Sequence, residues 1–220
     1  MVDEYLSEHE QAEQLRHWLR ENWLWLVAGV VLGLGSVFGY RWWNAHQTAR
    51  SQEAEQQFSA MLDALGRNQR EEGLQIASKI TGEYTDTPYA DQTLLVLARL
   101  DIESGDLEAA AATLKEVMDS TRDPELALVA RLRLARVQLA KGSYDEALAT
   151  LAAVENPAVA ARVAELRGDV MMARGQSADA LVAYREAQSA AEEGKTADSM
   201  VDQELLRLKI DELSATTAAE

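Results

Sequence analysis

Three histidines, His9, His17 and His46, are the only imidazoles in 220 residues, and there is no cysteine. Residues 47–220 therefore hold neither group. A Ser-His or Cys-His nucleophile pair cannot be built there, nor a His-ligated zinc site. Lack of cysteine also excludes disulfide frameworks and thiolate metal sites, without identifying a compartment. The 37 Asp and Glu residues leave carboxylate pairs open, although most such residues form solvated helix faces. Two fragments invite phosphate chemistry and neither sustains it. Gly33-Leu34-Gly35 has the opening of a dinucleotide loop, but it lies inside an uncharged apolar run with no strand before it. Gly194-Lys195-Thr196 has the end of a phosphate loop, but Ser189 stands where the first glycine is required, and a turn between helices fits better. A formal charge of −16 disfavours nucleic acid, because counterion release from phosphates needs a basic face. No catalytic, cofactor-binding or metal-binding residue is assigned, and the chain is read as a non-enzyme without a small-molecule substrate.

The elements that carry these residues fall into two parts. Hydrophobic content of 47% with 26% charged residues is that of a folded chain. All five tryptophans (Trp18, Trp23, Trp25, Trp42, Trp43) crowd into one N-terminal stretch. Residues 22–40 run NWLWLVAGVVLGLGSVFGY without a charge. As a helix at about 1.5 Å per residue these reach roughly 28 Å, the hydrocarbon thickness of a bilayer. Tryptophans stand at one end, and Tyr40, Trp42 and Trp43 at the other, as paired interfacial belts require. A transmembrane helix over 22–40 is expected, after an acidic tail (1–21) and before a juxtamembrane linker (41–51). A buried core helix would not explain two aromatic clusters one bilayer apart. The acidic start and the lack of a small-x-small site after Tyr40 favour an uncleaved anchor over a signal peptide. Arg16 and Arg20 balance Arg41 and Arg50, so charge bias does not orient the span. Gly29 and Gly33, and again Gly35 and Gly39, are four apart and could let a second helix approach closely.

Beyond residue 44 the chain is rich in Ala, Leu, Glu and Arg, which lose little rotamer freedom in a helix. Only three prolines occur, each after a residue able to cap a helix: Thr87-Pro88, Asp123-Pro124 and Asn156-Pro157. A glycine follows each at 17 or 18 residues: Gly105, Gly142 and Gly175. Aligned on these glycines, small residues coincide. Seven before stand Ala98, Ala135 and Gly168; five after stand Ala110, Ala147 and Ala180. Nine after come Leu114, Leu151 and Tyr184, and twelve after come Val117, Val154 and Ala187. Small residues let the helices of one hairpin approach, and larger ones fill the gap to the next. This is the tetratricopeptide pattern of about 34 residues per unit. It is degenerate where an aromatic is usual, four before the glycine, at Asp101, Gln138 and Met171. A weaker hairpin is expected over 52–65 and 72–81, with Ala60, Ala64 and Ala77 as small contacts. A capping helix is expected over 198–213, its apolar stripe made by Val201, Leu205 and Leu208 with Leu206, Ile210 and Leu213. The expected fold is all-α: a single N-terminal transmembrane helix, then a tetratricopeptide-like solenoid over 52–213 with a C-terminal capping helix and a flexible tail, 214–220.

A stack of this kind has a concave face lined by the first helix of each hairpin. In this register the groove residues are Gln92, Leu95, Arg99 and Ile102, then Leu132, Arg136 and Leu139, then Arg162, Glu165, Asp169 and Met172. Apolar positions alternating with guanidinium groups suit an extended or helical peptide. The competing reading pairs these arginines with neighbouring acids in a surface network worth little to stability.

The order of parts resembles the ancillary SecYEG translocon subunit family of Gram-negative bacteria, the YfgM-type proteins. The resemblance is carried by GYRWWNAHQTAR (39–50), LRLARVQLAKGSYDEALATL (132–151) and AELRGDVMMARGQSADAL (164–181). It implies a single-pass inner-membrane protein with a cytoplasmic N-terminus and a periplasmic repeat domain. It also implies association with the SecYEG channel and with a membrane-anchored periplasmic chaperone of the prolyl-isomerase type, in passing exported proteins to periplasmic chaperones. The family supplies no catalytic motif. A scaffold for another envelope complex, in cell-wall or division machinery, would share the anchor and repeats. An anchored carboxylate hydrolase would need a deep cleft with two facing acids.

Overall fold

The structure is a computed structural model that describes residues 8–193 and 201–217, with side chains described over 16–192 and 201–215. It divides into two units, Met1–Glu53 and Ala54–Glu220. Every regular element among the described residues is helical.

The first helix, α1, runs Glu8–Gly66 and contributes to both units. Residues 41–51, expected to form a linker, are helical within it. No proline or glycine stands between Gly39 and Gly66 to end the helix once begun. In the first unit the five tryptophans and the leucines and valines between them are exposed. α1 is long and apolar enough to cross a membrane, and none of its apolar window is buried, which removes the core-helix alternative. A Cβ added at Gly29, Gly33, Gly35 or Gly39 would meet nothing within 4 Å. His46 stacks on Trp42 at 5.9 Å between ring centroids.

In the second unit, α2 (Arg70–Glu83) packs on the last turns of α1. Three hairpins follow: α3 (Pro88–Ser104) with α4 (Leu107–Ser120), α5 (Pro124–Ala140) with α6 (Tyr144–Ala152), and α7 (Ala160–Ala173) with α8 (Ser177–Glu193). α9 (Gln203–Thr217) lies against α8. The three turn glycines have φ of 83°, 79° and 77°, a region open to glycine at no steric cost. Behind each, one backbone bond of 2.9 Å closes the helix end: Asp106 N–H to Asp101 C=O, Ser143 to Gln138, Gln176 to Met171. That is the Schellman arrangement, in which the residue after the glycine satisfies a carbonyl that the helix leaves orphaned.

The helix starts are less uniform. Asp123 accepts from the N–H groups of Glu125 and Leu126, and Asn156 from Ala158. Thr87 does not cap: its hydroxyl donates to Tyr84 C=O at 2.8 Å, tying the end of α2 to the start of α3 instead. Pro157 begins a 3-10 turn, Pro157–Val159, and α7 starts after it, so the tighter turn takes the place of the first α turn.

The core is a chain of clusters rather than one centre, as a stack of nearest-neighbour hairpins demands. Met61, Ala77 and Ile80 form the first, and Leu95, Leu114, Val117 and Leu134 anchor the next. Leu132, Leu151 and Leu166 lie in the third; Leu181, Tyr184, Leu206 and Leu213 lie in the last. The aligned alanines Ala98, Ala135, Ala110, Ala147 and Ala180 are all buried; in the weaker hairpin Ala64 and Ala77 are buried and Ala60 is exposed. One ion pair recurs at both joints between the three hairpins. Lys141, just before its glycine, meets Glu108, three after the preceding glycine; Arg174 meets Asp145 at 2.7 Å in the same relation. On α9, Leu206 and Leu213 are buried and Ile210 half-buried, whereas Leu205 and Leu208 are exposed. The helix covers the stack with the row Leu206, Ile210 and Leu213, and Val201, just before it, is buried in the same cluster. It continues to Thr217, beyond the expected domain end at residue 213; 198–200 and the Gly194-Lys195-Thr196 fragment lie outside the described residues.

Candidate partner-binding groove

Counted back from the turn glycines, the groove residues occupy fixed positions. Ten before stand Leu95, Leu132 and Glu165; six before, Arg99, Arg136 and Asp169; three before, Ile102, Leu139 and Met172. Equal offsets on α3, α5 and α7 set equivalent side chains in a row. The chemistry then changes along it.

In the crevice between α3 and α5, the structure brings Leu95, Arg99, Ile102 and Arg136 together around a cavity of about 320 Å³. Leu107 and Leu114 of α4 line it, with Ala98, Val137 and Ala140. Arg133 joins Arg99 and Arg136, so three exposed guanidinium groups flank an apolar hollow. Arg99 Nε reaches Glu103 Oε1 at 2.7 Å, in part as the surface-network reading expects. Both side chains are well exposed, so the pair contributes little and the remaining guanidinium donors stay available.

At α7 the row turns inward and polar. Glu165, only 4% exposed, occupies the position that is leucine in the two preceding hairpins. A buried carboxylate must be paired, and this one is. Arg162 pairs with its Oε2, and Lys209, arriving from α9, lies 3.2 Å from its Oε1. Lys209 Nζ also donates to Asp169 Oδ1 at 2.7 Å, and the Tyr184 hydroxyl donates to that same oxygen at 2.8 Å. Nζ sits 5.2 Å from the centroid of the Tyr184 ring, within cation–π range. Burial disfavours charge on Lys209, but Asp169 and Glu165 outweigh it and its pKa lies above 10.5. Burial, reinforced by the hydrogen bond to Asp169, pushes the Tyr184 phenol far above 10.0. Gly168 makes room for this ring: a Cβ there would stand 2.4 Å from Tyr184 Cε1.

Beside the network, Arg136, Arg162, Glu165 and Asp169 line a cleft of about 890 Å³ whose other wall is Val201 and Asp202 followed by α9, at Gln203 to Leu205 and Lys209. Arg136 lines both hollows. Of the remaining groove residues, Leu132 is buried in the third core cluster, Gln92 and Leu139 are half-buried, Met172 is exposed, and none of them lines either hollow. Arg133, Leu107 and Val137 were missed, and so was Lys209, which stands 44 residues from Glu165. Gly168 and Tyr184 stand where the first two hairpins have alanine and leucine, and Glu165 and Asp169 where they have leucine and arginine; these were the available signs of a different third hairpin. Among the described residues no group of acids and histidines could hold a metal ion.

Stacked helical hairpins with a lined inner row define a tetratricopeptide-like protein, and the profile of the tetratricopeptide repeat-like domain matches residues 16–215. The fold is similar to that of MamA (residues 41–end) from Desulfovibrio magneticus RS-1, with a TM-score of 0.52 over 76% of this chain and 96% of that one at 16% identity. Relatives extend over nearly the whole chain. An ancillary SecYEG translocon subunit of Escherichia coli is 33% identical, covering 96% of this chain and 98% of its own length. One from Haemophilus influenzae is 28% identical, covering 94% and 98%. The chain belongs to the ancillary SecYEG translocon subunit family.

Proposed function

We propose that this protein is a non-catalytic, membrane-anchored subunit of the SecYEG translocon that binds polypeptides emerging from the channel and helps transfer them to periplasmic chaperones. The observation that carries the reading is the collinear match to an ancillary translocon subunit over 96% of the chain, apolar segment included. Residues 22–40 form the single inner-membrane span, the N-terminus is cytoplasmic and the repeat unit periplasmic. Its chaperone partner is membrane-anchored and of the prolyl-isomerase type. The groove row on α3 and α5 offers apolar surface flanked by bidentate donors, which suits an unfolded segment held without chemical change. The glycine pairs Gly29/Gly33 and Gly35/Gly39 are the stripe on which another membrane helix would pack.

The test is capture from membranes. Full-length protein with a photocrosslinker beside Trp42 is solubilised in mild detergent after irradiation. Translocon subunits are expected both in the crosslinked product and in the co-purified complex. Recovery of cell-wall or division components in their place would reassign the protein as another envelope scaffold.

A further inference from the structure

The hollow between α3 and α5 carries more information than a generic groove. The larger part of its lining is aliphatic: Leu95, Ile102, Leu107, Leu114 and Val137. Ile102 is 41% exposed at its edge, so the apolar surface continues outward. At about 320 Å³ it lies at the small end of ligand pockets, room for one or two bulky side chains rather than a folded surface. Around it stand Arg99, Arg133 and Arg136, in a chain whose net charge is −16. A protein this acidic repels acidic partners at long range, so three arginines gathered on one rim give a local inversion of sign. Among the described residues only Arg99 of the three pairs with an acid, Glu103, and that pair is solvent-exposed.

We infer that this hollow is a docking site for a linear acidic segment bearing a bulky apolar side chain, the side chain seated over Leu107 and Leu114 and flanking carboxylates held by Arg99, Arg133 and Arg136. The inference deepens the polypeptide-binding half of the proposed function and rests on it. Charge complementarity decides the occupant: basic segments gain nothing from the rim, and acidic segments without a large apolar residue leave the hollow wet. Arg136 also lines the neighbouring cleft, so the bound chain runs from α3 toward α7.

The experiment uses the full chain in detergent and three fluorescent 12-residue peptides: leucines among aspartates and glutamates, the same with lysines for the acids, and the same with serines for the leucines. By anisotropy the acidic leucine peptide should bind at least about tenfold tighter than either control, and weaken as salt rises. Arg133→Glu with Arg136→Glu should cost it at least about tenfold, and Ile102→Asp a comparable loss by removing the apolar half. Far-UV circular dichroism confirms that each variant is folded; these side chains are exposed, so the helices should persist. Equal binding of the lysine peptide, no binding of the acidic one, or indifference to both variants overturns the inference. So would sedimentation showing that the arginine substitutions dissociate a dimer, which would make a second copy the occupant. Translocon subunits co-purifying with the same preparation report separately on the parent proposal. Their presence without peptide binding sinks the docking site alone.

Discussion

The third hairpin keeps the backbone frame of the first two and reverses their chemistry. At the same offset from the turn glycine, α3 and α5 carry Arg99 and Arg136, exposed beside an apolar hollow, and α7 carries Asp169, bonded to Lys209 and Tyr184. Where Leu95 and Leu132 bury hydrocarbon, Glu165 buries a charge with two cations on it. The difference shows that a repeat position fixes where a side chain points, not what it does. The third hairpin is followed by a single helix rather than another hairpin, and its inner row is spent on holding that helix, α9.

Three measurements sharpen this contrast, taken on the full chain in detergent. The largest effect is expected at Gly168. Gly168→Ala should destabilise the repeat unit by about 2–3 kcal/mol, because the new methyl meets the Tyr184 ring and overpacking of a filled core costs that much. Adding Tyr184→Leu, which restores the residues of the first two hairpins, should recover most of the loss as a favourable coupling in a double-mutant cycle. Ala98→Gly, at the equivalent place on α3, should cost only about 1 kcal/mol of helix propensity. Urea unfolding followed at the helical signal measures all of these, and additive losses would disprove the steric account.

Next comes Lys209. Lys209→Met should cost about 2 kcal/mol, less than the roughly 3–5 kcal/mol of a fully buried broken pair, because Arg162 stays on Glu165 and Lys209 is partly exposed. Arg99→Ala should fall within about 0.5 kcal/mol, as exposed pairs do. Similar losses at both sites would erase the distinction between an open and a closed end.

The smallest effect is on pH dependence. Lys209 has its pKa raised in the folded chain, so its contribution is complete below 10.5 and is lost as pH climbs through the folded value. Tyr184 is also raised, so above 10.0 the unfolded chain ionises its phenol while the folded one resists, and stability falls in the same direction. Stability should hold from neutrality to about pH 9 and then decline, and Tyr184→Phe or Lys209→Met should flatten part of that decline. A decline unchanged in both variants would assign it to other groups.

Much of this architecture could be read from residue order alone, because prolines, glycines and alanines act locally. Gly105, Gly142 and Gly175 announced the hairpins through the sign of φ, and Asp123 and Asn156 capped as their types imply. Leu95, Arg99, Ile102 and Arg136 share a hollow because equal offsets on neighbouring helices bring side chains together. Three features escaped for physical reasons. A helix continues by default, so residues 41–51, read only as a juxtamembrane linker, are helical. Thr87 had a carbonyl of the preceding helix within reach, a choice between two partners that spacing cannot decide. The cations on Glu165 come from three and from 44 residues away, and only the nearer lies within the range of helical periodicity.

The position of α9 also constrains how this protein can lengthen over evolutionary time. Its buried leucines and Lys209 engage α8 and α7, the faces on which an additional hairpin would have to be laid. A hairpin laid there would have to displace these contacts, whereas α4 and α5 meet through a pair, Lys141 with Glu108, that any repeat keeping the same offsets from its glycine reproduces.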